Sequence, residues 1–246
     1  MMTVRRGADR GHANHGWLDT HHTFSFADYH DPRYMGWGAM RVLNDDTVAP
    51  GAGFPPHSHR DMEIISYVLD GALEHRDSMG TGSTIRPGDI QRMSAGRGVT
   101  HSENNASQEE PVHFLQIWIV PKTRGAAPGY EQKHFPDAQK QDRLCLVASP
   151  DGQEGSVRIQ ADAWVFAAKL TSNRGPQAGL PAWGGKAEVA HRFGPDRKAW
   201  LQVARGAVTA SGLHLGAGDG VAIEGESEIV LGSTTGGEVL LFDLGG

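Results

Sequence analysis

Residues 51–63 read Gly51-Ala52-Gly53-Phe54-Pro55-Pro56-His57-Ser58-His59-Arg60-Asp61-Met62-Glu63, and residues 93–103 read Met93-Ser94-Ala95-Gly96-Arg97-Gly98-Val99-Thr100-His101-Ser102-Glu103. In a β-strand, side chains two apart share a face. His57 and His59 therefore present two imidazoles together, and His101 and Glu103 present an imidazole with a carboxylate. One such pair recurs by chance. Two pairs, each next to Gly-rich turns, can surround a single cation from two strands of a closed β-structure, and the fold is read from that requirement.

Outward from these pairs, apolar residues fall in short runs broken by Gly, Pro and Asp. Met62-Glu63-Ile64-Ile65-Ser66-Tyr67-Val68-Leu69 and His113-Phe114-Leu115-Gln116-Ile117-Trp118-Ile119-Val120 are rich in β-branched and aromatic residues and predict strands. Further strands are predicted over 39–43, 72–76, 89–93, 144–148, 157–160, 164–170, 186–192, 199–204, 207–210, 221–224, 228–231 and 238–243. No segment keeps a helical period for more than a few turns. The class is all-β, sandwich or barrel.

Composition excludes several functions. Hydrophobic residues make up 38% of the 246 and charged residues 21%, and no stretch reaches the roughly 18 apolar residues of a spanning helix. No membrane role is expected. A net charge of −6 gives no electrostatic reason for binding nucleic acid directly. A single cysteine, Cys145, allows neither an intrachain disulfide nor a multi-thiolate metal site, and a reducing, cytoplasmic home is the expectation. Histidine, at 13 residues, is the unusual count and asks for a metal.

The polar stretch from Pro121 to Gln141 reads as a connection, which divides the chain into a metal-binding domain over 1–125, a linker over 126–142 and a second domain over 143–246. A faint repeat relates the two. Val68-Leu69-Asp70-Gly71-Ala72-Leu73 returns 135 residues later as Val203-Ala204-Arg205-Gly206-Ala207-Val208, and Pro87-Gly88-Asp89-Ile90 returns 130 residues later as Ala217-Gly218-Asp219-Gly220. At the same offsets the ligand positions become Arg192, Gly194, Lys198, Leu231 and Ser233. The second copy has lost its ligands, so one metal per chain is expected, with the C-terminal half as lid, interface or scaffold.

The two paired motifs, in this order, resemble the cupin superfamily. The fuller set, Phe54-Pro55-Pro56-His57-Ser58-His59, Tyr67-Val68-Leu69-Asp70-Gly71, Glu74-His75-Arg76-Asp77-Ser78, Arg86-Pro87-Gly88-Asp89 and residues 93–103, resembles the pirin family. Residues 16–29 and 240–243 are similar to its bacterial branch. The resemblance implies a bicupin of two tandem jelly-roll β-barrels. It also implies a single divalent metal held by His57, His59, His101 and Glu103. Glu63 occupies the carboxylate position of many other cupins and is assigned a supporting role here. Three imidazoles and a carboxylate suit Fe(II), Mn, Ni, Cu or Zn by ligand type; the resemblance points first to Fe(II). The activity it implies is that of a quercetin 2,3-dioxygenase, opening a flavonol-like ring with dioxygen and with Glu103 as the base. The alternative is an iron-dependent redox sensor acting on a protein partner.

The remaining conspicuous residues carry plainer expectations. His12, His15, His21 and His22 are read as surface, turn or hydrogen-bonding residues, and His75 and His113 as core or supporting groups. Phe24, Phe26, Phe54 and Met93 are candidates to line the pocket, and Cys145 is expected to be buried and inert.

Overall fold

The computed structural model of the chain describes residues 1–172 and 188–245. The chain opens with β1 (Met2–Arg5), followed by β2 (Gly11–Asn14), β3 (Leu18–His22), β4 (Met40–Val48), β5 (Gly53–His59), β6 (Glu63–Asp70), β7 (Leu73–Asp77), β8 (Gly82–Ile85), β9 (Asp89–Ser94), β10 (Val99–Asn105), β11 (Val112–Ile119) and β12 (Gly129–His134). After the one-turn α1 (Asp137–Lys140) come β13 (Cys145–Ser149), β14 (Val157–Arg158), β15 (Ala163–Leu170), β16 (Val189–Arg192), β17 (Lys198–Ala210), β18 (Leu213–Gly216), β19 (Gly220–Glu224), β20 (Glu228–Gly232) and β21 (Gly237–Leu244). The predicted strand over 186–192 is present from Val189, and Lys186 and Ala187 lie outside the described residues. No helix among the described residues is long and apolar enough to cross a membrane.

The chain forms two compact units, one of residues 10–135 and 147–164, the other of residues 1–9, 136–146 and 165–246. In the first, a seven-stranded antiparallel sheet runs β12-β9-β6-β11-β4-β3-β2 and a four-stranded sheet runs β5-β10-β7-β8. Strands β6 and β11 lie at the middle of the large sheet and are buried at nearly every position, which is why they read as unbroken apolar runs instead of alternating ones. Between the sheets, Val48, Val68, Leu73, Ile85, Val112 and Phe114 form a closed apolar cluster. Burying each such side chain contributes about 1.5–3 kcal/mol.

In the second unit the thirteen-residue β17 pairs with β18, β19, β20 and β21, and its core is aliphatic. The proposed repeat has a backbone basis here. Gly71 and Gly206 both take the left-handed conformation, at φ 75° and 71°, and so do Gly88 and Gly218, at 96° and 83°. A Cβ at Gly71 would lie 2.6 Å from the Pro111 carbonyl oxygen, and one at Gly206 would lie 2.2 Å from that of Gly236. The same turn is therefore restricted to glycine in both units.

Packing divides the chain differently from composition. Strand β1 pairs with β19, placing the first residues in the second unit, while residues 147–164 pack with the first. The polar stretch over 126–142 is not bare connection: it holds β12, which pairs with β9, and α1. β12 is half-buried at the edge of its sheet, so it needs few apolar residues and its sequence resembles a loop.

Candidate metal centre

Strand register builds the centre. In the four-stranded sheet His101 on β10 lies directly opposite His57 on β5, and Val99 lies opposite His59. Between His101 and Glu103 the register shifts, so that Glu103 faces Phe54. The extra residue sits on β5 at Pro55-Pro56. Proline has no N–H to give to a ladder and is at home in a bulge on an edge strand. Gly53 closes the bulge: a Cβ there would meet the Glu103 carbonyl oxygen at 2.4 Å. Gly53→Ala is therefore expected to cost about 1–3 kcal/mol of stability through overpacking and to lower metal retention, both readable in one thermal-shift series with and without added metal.

The ligand atoms of His57, His59 and His101 lie within 4.8 Å of one another, and their ring centroids are 4.5–4.8 Å apart. Each ring is oriented by what its other nitrogen does. His57 Nδ1–H donates to the Pro55 carbonyl at 2.8 Å, leaving Nε2 as the free lone pair. His75 Nε2–H donates to Asp77 Oδ2 at 3.2 Å, which makes His75 Nδ1 the acceptor for His101 Nδ1–H at 3.4 Å. His101 Nε2 is buried and has no hydrogen-bond partner, as expected of a nitrogen reserved for a cation. Burial, reinforced by neighbouring imidazoles, lowers His101 to about 2 and His59 to about 4. Both rings are neutral at pH 7, the state in which imidazole ligates.

Glu103 is fully buried on the same strand, grouped with His101 and His75. Its Oε2 accepts from Gln116 Nε2 at 2.8 Å and its Oε1 from Ser66 Oγ at 3.2 Å. Burial pushes its carboxyl above the ordinary value despite these donors, a cost that a cation nearby would offset. The donor set and the orphaned nitrogen together fit a divalent metal. Glu63 lies elsewhere: its Oε2 accepts from Ser94 Oγ at 2.8 Å and from the Gln160 backbone N–H at 3.0 Å.

The three imidazoles and Glu103 open on a cavity of about 270 Å³ lined by Phe26, Asn44, Asp46, Phe54, Pro55, His57, His59, Ile64, His101, Glu103, Gln116 and Trp118. Phe26 and Phe54 line it as expected; Phe24 and Met93 do not, being fully buried core residues. His22 is a hydrogen-bonding residue, one of the roles expected of it, but a buried one: its Nδ1–H donates to Asn44 Oδ1 at 2.9 Å, because β3 is covered where its sequence looks polar. Cys145 is half-buried at the start of β13, not enclosed. The sequence reading missed Asn44, Asp46 and Gln116 as cavity residues. Gln116 is marked as a polar side chain between apolar neighbours in β11, whereas Asn44 and Asp46 belong to the continuous polar run 44–47 of β4, which hides their shared face.

Asp46 is buried, and desolvation pushes its carboxyl up to about 7. In the unfolded chain it titrates near 4, so the wild-type fold is progressively penalised as pH rises from about 4 to 7. Asp46→Asn should thus improve relative stability more at pH 8 than at pH 5, by on the order of 2 kcal/mol for the metal-free chain, measured by denaturant melts at both pH values.

Among the described residues the second unit holds no grouping of this kind. Leu231 is core, and Arg192 is exposed and paired with Glu228 at 3.0 Å.

Two β-units in tandem, with a His-rich cluster lining a cavity of the first and no such grouping among the described residues of the second, define a bicupin with a candidate metal centre in its first unit. The chain belongs to the pirin family: residues 3–119 match the family described as Pirin, and residues 146–244 match the one described as the quercetinase C-terminal cupin domain. It is 43% identical over 244 residues to a quercetin 2,3-dioxygenase of Escherichia coli strain K12, covering 99% of both chains. It is 40% identical over 244 residues to a pirin-like protein of Caulobacter vibrioides, covering 98% of this chain and 99% of that one. Among solved structures, the bacterial pirin YhhW of Escherichia coli in complex with nickel(II) superposes with a TM-score of 0.89 at 43% identity, covering 100% of this chain and 99% of that one.

Proposed function

We propose that the chain is a metal-dependent quercetin 2,3-dioxygenase, with His57, His59, His101 and Glu103 as ligands and Fe(II) as the working metal. The observation that carries this reading is the convergence of three imidazoles and a buried carboxylate on a cavity whose apolar walls come from Phe26, Phe54, Ile64 and Trp118. The names of its relatives support the same activity. Its single cysteine supports a reducing, cytoplasmic setting.

When bound, the metal supplies Lewis-acid stabilisation of a developing oxyanion and, as Fe(II), one-electron chemistry with dioxygen. The protein does the rest. The aromatic walls hold a flat flavonol by apolar burial, at about 25 cal/mol per Å². Glu103 takes the proton of the substrate's reacting hydroxyl. Oε1 is the atom for that step, since its bond from Ser66 is the longer of the two, and Ser66 Oγ has Gln116 Oε1 at 3.3 Å as another acceptor. Both atoms of dioxygen enter the product, and one ring carbon leaves as carbon monoxide.

The Fe(II)-loaded chain should consume quercetin only in the presence of oxygen, and the Zn(II)-loaded chain should be at least about 100-fold slower because its filled shell passes no electrons. Equal turnover with both metals, or full turnover under argon, would overturn the reading.

A further inference from the structure

The imidazoles come from the four-stranded sheet and form one wall of the cavity. The wall supplied by the seven-stranded sheet is not simply apolar. Asn44 and Asp46 stand two apart on β4, share its inward face and both line the cavity. Asn44 Oδ1 is taken by His22 Nδ1–H, and its Nδ2 has no acceptor among the described residues. Asp46 Oδ1 accepts from Thr20 Oγ1, and its Oδ2 has no hydrogen-bond donor among them. Neither Lys nor Arg lines the cavity, so no cationic side chain meets this carboxyl there. Both residues are only 3% exposed, yet these two polar atoms keep access to the cavity, where a bound group can meet them.

A free donor beside a free acceptor matches one functional group in particular. A hydroxyl gives one proton and accepts another. We propose that Asn44 and Asp46 bind a second hydroxyl of the substrate, distinct from the one that reacts at the metal centre. Asp46 Oδ2 accepts its proton, and Asn44 Nδ2 donates to its oxygen. The inference rests on the dioxygenase reading for the reacting hydroxyl and narrows the substrate class to flat phenols or enols with at least two hydroxyl groups. Desolvation, which holds Asp46 near neutrality, leaves it able to take part as acid or carboxylate. A site built around a hydroxyl discriminates against the analogue that lacks it far more strongly than an apolar slot can.

The test is anaerobic absorbance titration of the Ni(II)-loaded chain with quercetin and with 3-hydroxyflavone, which keeps the reacting hydroxyl and lacks the others. Wild type should bind quercetin at least tenfold more tightly. In Asp46→Ala and Asn44→Leu, each shown to be folded and metal-loaded, that ratio should fall to within about threefold of one. Equal binding of the two compounds by wild type, or an undiminished preference in either folded variant, overturns the inference. The wild-type measurement decides the matter even if a variant does not fold. Oxygen uptake by the Fe(II) form separates the two levels. Preferential binding with no oxygen uptake on either compound removes the dioxygenase reading and keeps the hydroxyl site. Uptake with equal affinities does the reverse.

Discussion

Replacing His101 by Ala should leave the purified chain without stoichiometric metal. The other ligand candidates on β5 are His57, which is part-exposed and hydrogen-bonded to the Pro55 carbonyl, and His59, which packs against Trp118 at a centroid distance of 4.9 Å. His101 is the member with an orphaned buried nitrogen, and it is held by the Asp77–His75 chain behind it. Its ring also joins the three-imidazole group to the group that contains Glu103. Removing it takes away a ligand and the oriented link together. Metal content by elemental analysis should fall from about one per chain to near zero after dialysis. The thermal stabilisation gained from added metal, about 4 kcal/mol at a thousandfold excess over Kd, should vanish with it. Full occupancy in the variant would sink the assignment.

Exchanging each of two buried glutamates for glutamine should separate ligand from scaffold. Glu103→Gln replaces a carboxylate oxygen beside the imidazoles with an amide and sets a second N–H₂ against Gln116 Nε2, which already donates there at 2.8 Å. Metal affinity is expected to fall by about 10–100-fold, and turnover more than quercetin affinity once metal is restored by excess. Glu63→Gln should leave metal affinity within about threefold of wild type. It weakens the acceptor shared by Ser94 and the Gln160 N–H, so its effect is a stability loss of about 1–3 kcal/mol. Isothermal titration with Ni(II) on both variants decides the order. The reverse order would move the carboxylate ligand to Glu63.

Much of this arrangement was legible in the sequence, and the parts that were not share a cause. The buried strands β6, β11 and β21 announce themselves because two covered faces demand continuous apolar residues. The ligand strands are legible through chemistry: β5 is too exposed and proline-rich to be found by hydrophobic pattern, yet His57 and His59 mark it. Edge strands such as β2, β8 and β12 carry neither signal, and their half-covered sequences look like loops. Asp46 was missed as a site residue, and the supporting role expected of His75 could not be tied to His101, because register decides which polar strand residues converge, and register depends on partners distant in sequence. His75 faces Glu103 across β7 and β10, a pairing that no spacing rule within either strand reveals.

The pairing of β1 with β19 has a consequence in time. Met2 sits opposite Ile223, so β1 cannot find its partner until synthesis has run on as far as β19. At a synthesis rate of about 5–20 residues per second, that delay is on the order of 10–40 s. During it, Met2 to Arg5 must stay unpaired while the first unit gathers its own strands downstream. Once docked, β1 covers the outer edge of β19. Trimming those few leading residues would therefore leave the remote unit with a bare strand edge, the kind of surface on which chains stack and aggregate.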